Sequence, residues 1–276
     1  MEEHKLNKLK QADLDVFKAF IKICEENNLR YFICYGSFLG AVRHQGFIPW
    51  DDDIDVAMPR PDYERFFKIA PQVLPDDLYV STYKDGDSHV TLCSKLISKK
   101  KEFTLNNADQ VVETGAWIDI LAIDGAPKSK IGKKIFLYRF IYRRSMCQLA
   151  HFSKVVNLNK KRPWYQKAVI RIAKAISIEK HLDGIKQGEK FHKLLSKIPY
   201  DEADEVASFQ GDDYLRNEGV VPKEVYGKGK LYPFEDIMVV GPVDYDRYLT
   251  SYYGDWRTPP PMDYRNIHNV KEAENE

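Results

Sequence analysis

Asp51, Asp53 and Asp55 occupy alternate positions in the run Pro49-Trp50-Asp51-Asp52-Asp53-Ile54-Asp55, which follows shortly after Gly36-Ser37. Alternate side chains of an extended chain share a face, so the three carboxylates are expected to converge while Asp52 and Ile54 point the other way. Converging carboxylates repel one another unless a positive charge sits among them. Hard divalent cations take oxygen ligands, commonly one or two carboxylates together with substrate phosphates. The cluster therefore reads as a metal-phosphate site for Mg²⁺, with Mn²⁺ as the alternative. Asp53 and Asp55 are the expected metal pair, because Ile54, Val56 and Met58 supply an apolar face that anchors the strand. Asp51 could be a ligand, an outer partner or a loop residue.

Gly36-Ser37 could complete such a site. Glycine lets a backbone approach a ligand closely, and a helix starting there would aim free N–H groups and its positive dipole end at an anion. Taken alone, a Gly-Ser after a strand is an ordinary turn; the acidic strand beside it gives it weight as a phosphate cradle. Arg43 and His44 follow on the same helix. Arg43 can fork onto phosphate oxygens and His44 could donate or shuttle a proton, the alternative being simple surface solvation. In Trp117-Ile118-Asp119-Ile120 a solitary carboxylate interrupts an apolar strand, which is costly unless it is compensated, so Asp119 is the expected third metal ligand. A hydrogen-bonded structural Asp is the mundane alternative. Asp124-Gly125 reads as a turn.

The elements that must position these groups follow from periodicity. Leu14, Phe17, Phe20, Ile21 and Cys24 recur at helical spacing and stop at Glu25-Glu26-Asn27-Asn28. Arg30 to Tyr35 reads as a strand stopped by Gly36, with Ser37 capping a short helix through about Arg43. The acidic strand is expected over Asp51 to Met58, and Pro59-Arg60-Pro61-Asp62 opens a helix whose apolar face holds Tyr63, Phe66, Phe67 and Ala70. Further strands are expected at Leu78 to Tyr83, Val90 to Ser98, Ala116 to Ala122 and Ile237 to Val240. A helical, basic stretch runs from Ile131 to about Lys197, a helix from Val243 to Tyr253, and a Pro-rich exit follows. The fold class is mixed α/β (α+β). The expected division is a catalytic core over 1–125, a basic helical region over 126–200, and a C-terminal strand and helix over 201–276 that complete the fold, with a disordered tail after about Val270.

The chain has 276 residues, 43% hydrophobic and 13% aromatic, enough to fill a sizeable core. Cys24, Cys34, Cys93 and Cys147 are scattered without metal-type spacing, which fits a reduced compartment. Neither a signal peptide nor a membrane span is legible, so a soluble cytoplasmic protein is expected. Net charge is +1, yet no acidic residue lies between Asp124 and Glu179 while fourteen Lys or Arg do. That asymmetry points to an anionic partner surface, such as lipid headgroups or a polyanionic polymer. No nucleic-acid-binding module is recognisable, and no nucleic-acid partner is expected.

The run Tyr35-Gly36-Ser37-Phe38-Leu39-Gly40-Ala41-Val42-Arg43-His44-Gln45-Gly46-Phe47-Ile48-Pro49-Trp50-Asp51-Asp52-Asp53-Ile54-Asp55-Val56 closely resembles the LicD family of phosphotransferases. Further echoes are Glu113 to Ile120, Tyr232 to Asp236, Tyr245 to Leu249 and Tyr252 to Asp255. The resemblance implies a DNA polymerase β-like nucleotidyltransferase core with a mixed sheet. In it Gly36 and Ser37 would cradle phosphate, and Asp53, Asp55 and Asp119 would hold Mg²⁺. It also implies transfer of a phospho-alcohol, foremost phosphocholine from CDP-choline, to a hydroxyl of a glycan or lipid-linked glycan such as teichoic acid or lipopolysaccharide, with CMP leaving. The basic helices could then bring the enzyme peripherally to the inner membrane face. Two other readings stand beside it: a nucleotidyltransferase that uses the same carboxylates on a nucleoside triphosphate, and a non-catalytic protein that keeps the fold and holds a polyanion on its basic surface.

Overall fold

The computed structural model describes residues 2–85, 93–107, 110–155, 163–210, 214, 219–261 and 270–272. In chain order its elements are α1 (Glu2–Glu26), β1 (Phe32–Ile33), α2 (Tyr35–His44), β2 (Asp55–Pro59), α3 (Arg60–Val73), β3 (Leu78–Ser81), β4 (Ser94–Ser98), β5 (Phe103–Asn107), β6 (Gln110–Thr114) and β7 (Trp117–Gly125). There follow α4 (Lys130–Ala150), α5 (Phe152–Val155), α6 (Trp164–Ala175), α7 (Gly184–Leu195), β8 (Glu205–Ser208), β9 (Val221–Pro222), β10 (Lys230–Phe234), β11 (Ile237–Gly241), α8 (Tyr245–Tyr253) and β12 (Val270–Glu272).

The mixed sheet is organised around β7. It pairs in parallel with β2 on one edge, while β4 and then β8 run antiparallel to it along the other. β1 extends the sheet beyond β2, β3 lies beyond β4, and β9 lies beyond β8. A strand with neighbours on both edges and helices packed against it reads as a near-continuous apolar run, and Ile118, Ile120, Leu121, Ala122 and Ile123 are all buried. Leu14, Phe17, Phe20 and Cys24 of α1 enter the main core as their spacing predicts, while Ile21 packs against it only partly buried and Ile23 enters it instead. α2 is pinned by Phe38, whose ring meets those of Tyr232 on β10 and Tyr248 on α8 edge-on at 5.1 and 5.3 Å. A second, smaller core joins Phe136 and Phe140 of α4 to Phe191, Leu194 and Leu195 of α7 and to Ala207 of β8. All four cysteines are free.

Several local expectations need correction. Regular strand geometry begins at Asp55, so Asp51 to Ile54 form an irregular lead-in. The strand expected over Arg30 to Tyr35 shrinks to two residues, and Tyr35 opens α2 in the left-handed region with φ of 47°. Ser37 lies inside α2 and does not cap it; Cys34 is the N-cap and makes no side-chain bond there. Asp124 and Gly125 are not a turn but the last residues of β7. The tail reading also fails in part, since Val270–Glu272 pairs with β5. β4 starts at Ser94, and residues 90–92 of the strand expected from Val90 lie outside the described residues.

Asp124 is fully buried and accepts from Arg60 Nε at 2.8 Å, a pair that ties the start of α3 to the end of β7. His192 of α7 stacks on Tyr83 with ring centroids 4.5 Å apart and faces the Arg60 guanidinium at 3.3 Å. Burial first, and the Arg60 and Lys84 charges after it, hold His192 down to a pKa of about 3, so it is neutral at physiological pH. Removing one member of a buried ion pair strands the other charge. Asp124→Ala is therefore expected to cost about 3–5 kcal/mol in chemical denaturation, and Arg60→Met/Asp124→Leu to recover part of it; equal loss in the double variant would show that the pair does not account for the cost.

Candidate active site

Strand register assembles the charged groups before any side-chain detail is considered. Asp55 lies beside Asp119 in the parallel β2–β7 pair, and Asp119 lies opposite Lys95 in the antiparallel β4–β7 pair. The three residues thus form a row across adjacent strands. Asp53, two residues before Asp55, joins them: ligand oxygens of Asp53, Asp55 and Asp119 lie within 4.8 Å of one another. Asp51, Asp52 and Asp53 form a second group of the same tightness. Lys95 Nζ sits 2.8 Å from Asp119 Oδ1, and 4.8 Å from the centroid of the Trp117 ring. Asp13 of α1, fully buried, accepts from the Trp117 N–H at 2.7 Å and so fixes the start of β7.

The lead-in holds its irregular shape because other groups satisfy it. The Ser37 hydroxyl accepts from the Asp55 N–H at 2.9 Å and donates to the Asp53 carbonyl at 3.3 Å, which bolts α2 to the backbone that presents both acids. A Cβ on Gly36 would stand 2.5 Å from Asp51 Oδ2, so only glycine lets the helix start and this carboxylate share the space. One turn earlier in the loop, a Cβ on Gly46 would collide with the Glu235 carboxylate, which accepts from the Phe47 N–H at 3.0 Å. Glu235 in turn donates its own N–H to the Gln45 carbonyl at 2.9 Å. The β10–β11 turn therefore clamps the loop that leads to the acids.

These elements border an open cleft of about 700 Å³. Gly36, Arg43, Asp51, Asp53 and Asp55 line one wall, and Trp50 and Ile48 adjoin them. The opposite wall comes from the far end of the chain: Tyr253, Asp255, Trp256, Thr258 and Pro259 to Pro261. Arg43 joins the walls, donating from Nη1 to the Trp256 carbonyl at 3.1 Å. Of the residues singled out from sequence, Gly36, Arg43, Asp51, Asp53 and Asp55 meet at the cleft. Ser37 acts through its hydroxyl on the Asp53–Asp55 backbone, and Asp119 belongs to the carboxylate group without lining the cleft. His44 is exposed, lies outside the lining, and accepts from Arg43 Nε at 3.1 Å. Partial burial, then Arg43 and Lys10, keep its pKa below the usual value.

Lys95 and the aromatic rings of Trp50, Tyr253 and Trp256 that line the cleft are not among the residues singled out for chemistry from the sequence. A lysine within the apolar strand Ser94-Lys95-Leu96-Ile97-Ser98 was the available signal for the first, read by the same logic that picked Asp119. For the second there was only the aromatic run Tyr252-Tyr253-Gly254-Asp255-Trp256.

The electrostatics of the group centre on Asp55. Burial, followed by the charges of Asp53, Asp119 and Asp51, pushes the Asp55 carboxyl well above the ordinary carboxylate range, and Lys95 only partly opposes this. An all-oxygen donor set carrying more negative charge than its lysine offsets is chemically suited to a hard divalent cation.

The family model described as LicD/FKTN/FKRP, nucleotidyltransferase domain, matches residues 28–161, the span that contains α2, the acidic lead-in, β7 and α4. Over 262 residues the chain is 27% identical to a lipopolysaccharide cholinephosphotransferase LicD of Haemophilus influenzae, covering 94% of each chain. Over residues 28–161 the chain is thus similar to the LicD family. Shorter matches join this chain to uncharacterized proteins of Rickettsia typhi, 37% identical over 73 residues and 24% of that protein, and of Rickettsia prowazekii, 45% identical over 51 residues and 19% of that protein.

A carboxyl whose folded pKa is raised contributes stability that is lost as pH rises, because above its unfolded value the unfolded chain sheds the proton first. Asp55→Asn is therefore expected to raise the metal-free melting temperature near neutral pH, by about 2–4 °C if repulsion worth about 1 kcal/mol is relieved. If the group holds a divalent cation, Mg²⁺ should raise the melting temperature of the parent protein and not that of the variant. Thermal melts with Mg²⁺ or with chelator check both, and a variant that melts lower and still responds to Mg²⁺ contradicts the assignment.

Proposed function

We propose that the protein transfers phosphocholine from CDP-choline to a hydroxyl of a cell-surface glycan precursor, with lipopolysaccharide as the foremost acceptor class and CMP as the leaving group. The observation that carries this is the grouping of Asp53, Asp55 and Asp119 beside a cleft that also offers a cation and aromatic rings. The likeness to the Haemophilus influenzae cholinephosphotransferase along nearly the whole chain supports the choice of headgroup and acceptor. The family description supports a DNA polymerase β-like nucleotidyltransferase core, to which the mixed sheet is compatible. Such an acceptor is membrane-held, so the reaction would take place at the inner membrane face.

In this reading Asp53, Asp55 and Asp119 would hold Mg²⁺, or Mn²⁺ in its place. A bound divalent cation neutralises charge on the donor's pyrophosphate and on departing CMP. Gly36, in the first turn of α2, lines the cleft and would offer its backbone N–H to phosphate oxygens, and Arg43 would add a guanidinium. The acceptor oxygen bonds to the phosphorus that carries choline as the bond from that phosphorus to the CMP oxygen breaks, and the hydroxyl's proton passes to water in the open cleft. Asp119, ion-paired to Lys95 and outside the cleft lining, suits a ligand role better than that of a base. The quaternary ammonium, which makes no hydrogen bonds, would rest on the faces of Trp50 and Tyr253.

The test is CMP release and phosphocholine incorporation with CDP-choline, CDP-glycerol and CDP-ribitol as donors and a lipopolysaccharide acceptor. CDP-choline should be preferred, Asp53→Ala and Asp55→Ala should lower turnover by about a thousandfold or more in folded protein, and Trp50→Leu should erode the choline preference roughly tenfold. Near-normal turnover in either Asp variant overturns the mechanism, and preference for a nucleoside triphosphate with pyrophosphate release overturns the reaction class.

A further inference from the structure

α4 carries two apolar stripes, and only one of them is used. Phe136, Phe140 and Cys147 enter the second core, and Ala150 is buried as well. Ile131, Ile135, Tyr138 and Tyr142, spaced i, i+4, i+7 and i+11, form another stripe that faces solvent; Ile131 and Tyr138 are each 73% exposed. α6 repeats the arrangement more strongly. At about 100° per residue, Trp164, Ile172, Tyr165 and Val169 span an arc of roughly 140°. All four are exposed, Trp164 at 81% and Ile172 at 62%, while Ala173 beyond the arc is buried. Lys167, Arg171 and Lys174 flank that arc on its other side. Among the described residues nothing covers either stripe.

Both helices lie in the acid-free segment between Asp124 and Glu179, with its fourteen Lys or Arg. Charge selects among occupants. A second copy docking through the same face would bring two such segments together, since a two-fold interface presents one patch to itself. A nucleic acid would match the charge but not two exposed aliphatic and aromatic stripes. A helix with an apolar arc containing Trp, flanked by Lys and Arg, is suited to lying in the interface of an anionic bilayer. No described helix is long and apolar enough to cross a membrane.

We propose that the exposed faces of α4 and α6 form a docking surface for anionic phospholipid membrane, with the Trp164 and Ile172 side chains entering the interfacial region. The surface is distinct from the cleft, and its use is independent of the reaction assigned there.

The test is co-sedimentation of the full chain with vesicles of phosphatidylglycerol and phosphatidylcholine, and with phosphatidylcholine alone, at low and high salt. Expected are binding to the anionic vesicles, weakening by salt, and a blue shift of tryptophan fluorescence that Trp164→Ser diminishes. Trp164→Ser/Ile172→Ser and Ile135→Ser/Tyr138→Ser should each bind about tenfold or more weakly with unchanged melting temperature, because the exposed residues contribute little to folding. Absence of binding at low salt overturns the proposal, as does equal binding to neutral vesicles. Full binding by both variants overturns it too, and so does a dimer in sedimentation velocity that these substitutions abolish.

Discussion

Carboxylates held closer together than their charges favour are the constraint on which the arrangement depends. Asp53, Asp55 and Asp119 crowd into less than 5 Å, and the fold must supply from elsewhere the stability that this repulsion removes. It does so with groups that have no other evident task. The apolar flanks of β2 and β7 sink into the main core, the Ser37 hydroxyl fixes the backbone between two of the acids, and Lys95 neutralises one charge across the sheet. Removing all the repulsion would make a more stable protein without the carboxylate group on which the proposed reaction rests, which is the usual conflict between stability and function.

A second consequence is that the site cannot be a local motif. α2 and the acidic lead-in come from the first quarter of the chain, but the cleft they border is closed by residues 253–261, and the loop between them is clamped by Glu235. Arg43 is bonded to the Trp256 carbonyl, so its guanidinium and the far wall of the cleft are positioned by one contact. This explains physically why similarity to the Haemophilus influenzae relative extends along nearly the whole chain and is not confined to the acidic run.

What the sequence revealed is what short-range pattern encodes. Alternation brought out Asp51, Asp53 and Asp55, an acid inside an apolar strand brought out Asp119, and helical spacing gave α1 and α3. Groups whose roles depend on tertiary partners were misread or missed. Ser37 resembles a helix cap until its partners prove to be Asp53 and Asp55. Asp124 resembles a turn residue until Arg60 is found beside it. Lys95 acquires meaning only through the β4–β7 register, and β10 is masked by Pro233, a residue that normally argues against a strand interior. Tyr35, held at positive φ among Tyr248 and Tyr252, is a strained residue whose propensity points elsewhere.

The central claim, that the acidic group binds a CDP-alcohol through a divalent cation, is tested most directly by calorimetric titration of CDP-choline and CTP into the protein with Mg²⁺ and with chelator, alongside Asp53→Asn/Asp55→Asn. The account predicts CDP-choline binding that requires Mg²⁺, exceeds that of CTP, and vanishes in the double variant. Binding that is equal with chelator, or that survives the loss of both carboxylates, would contradict it.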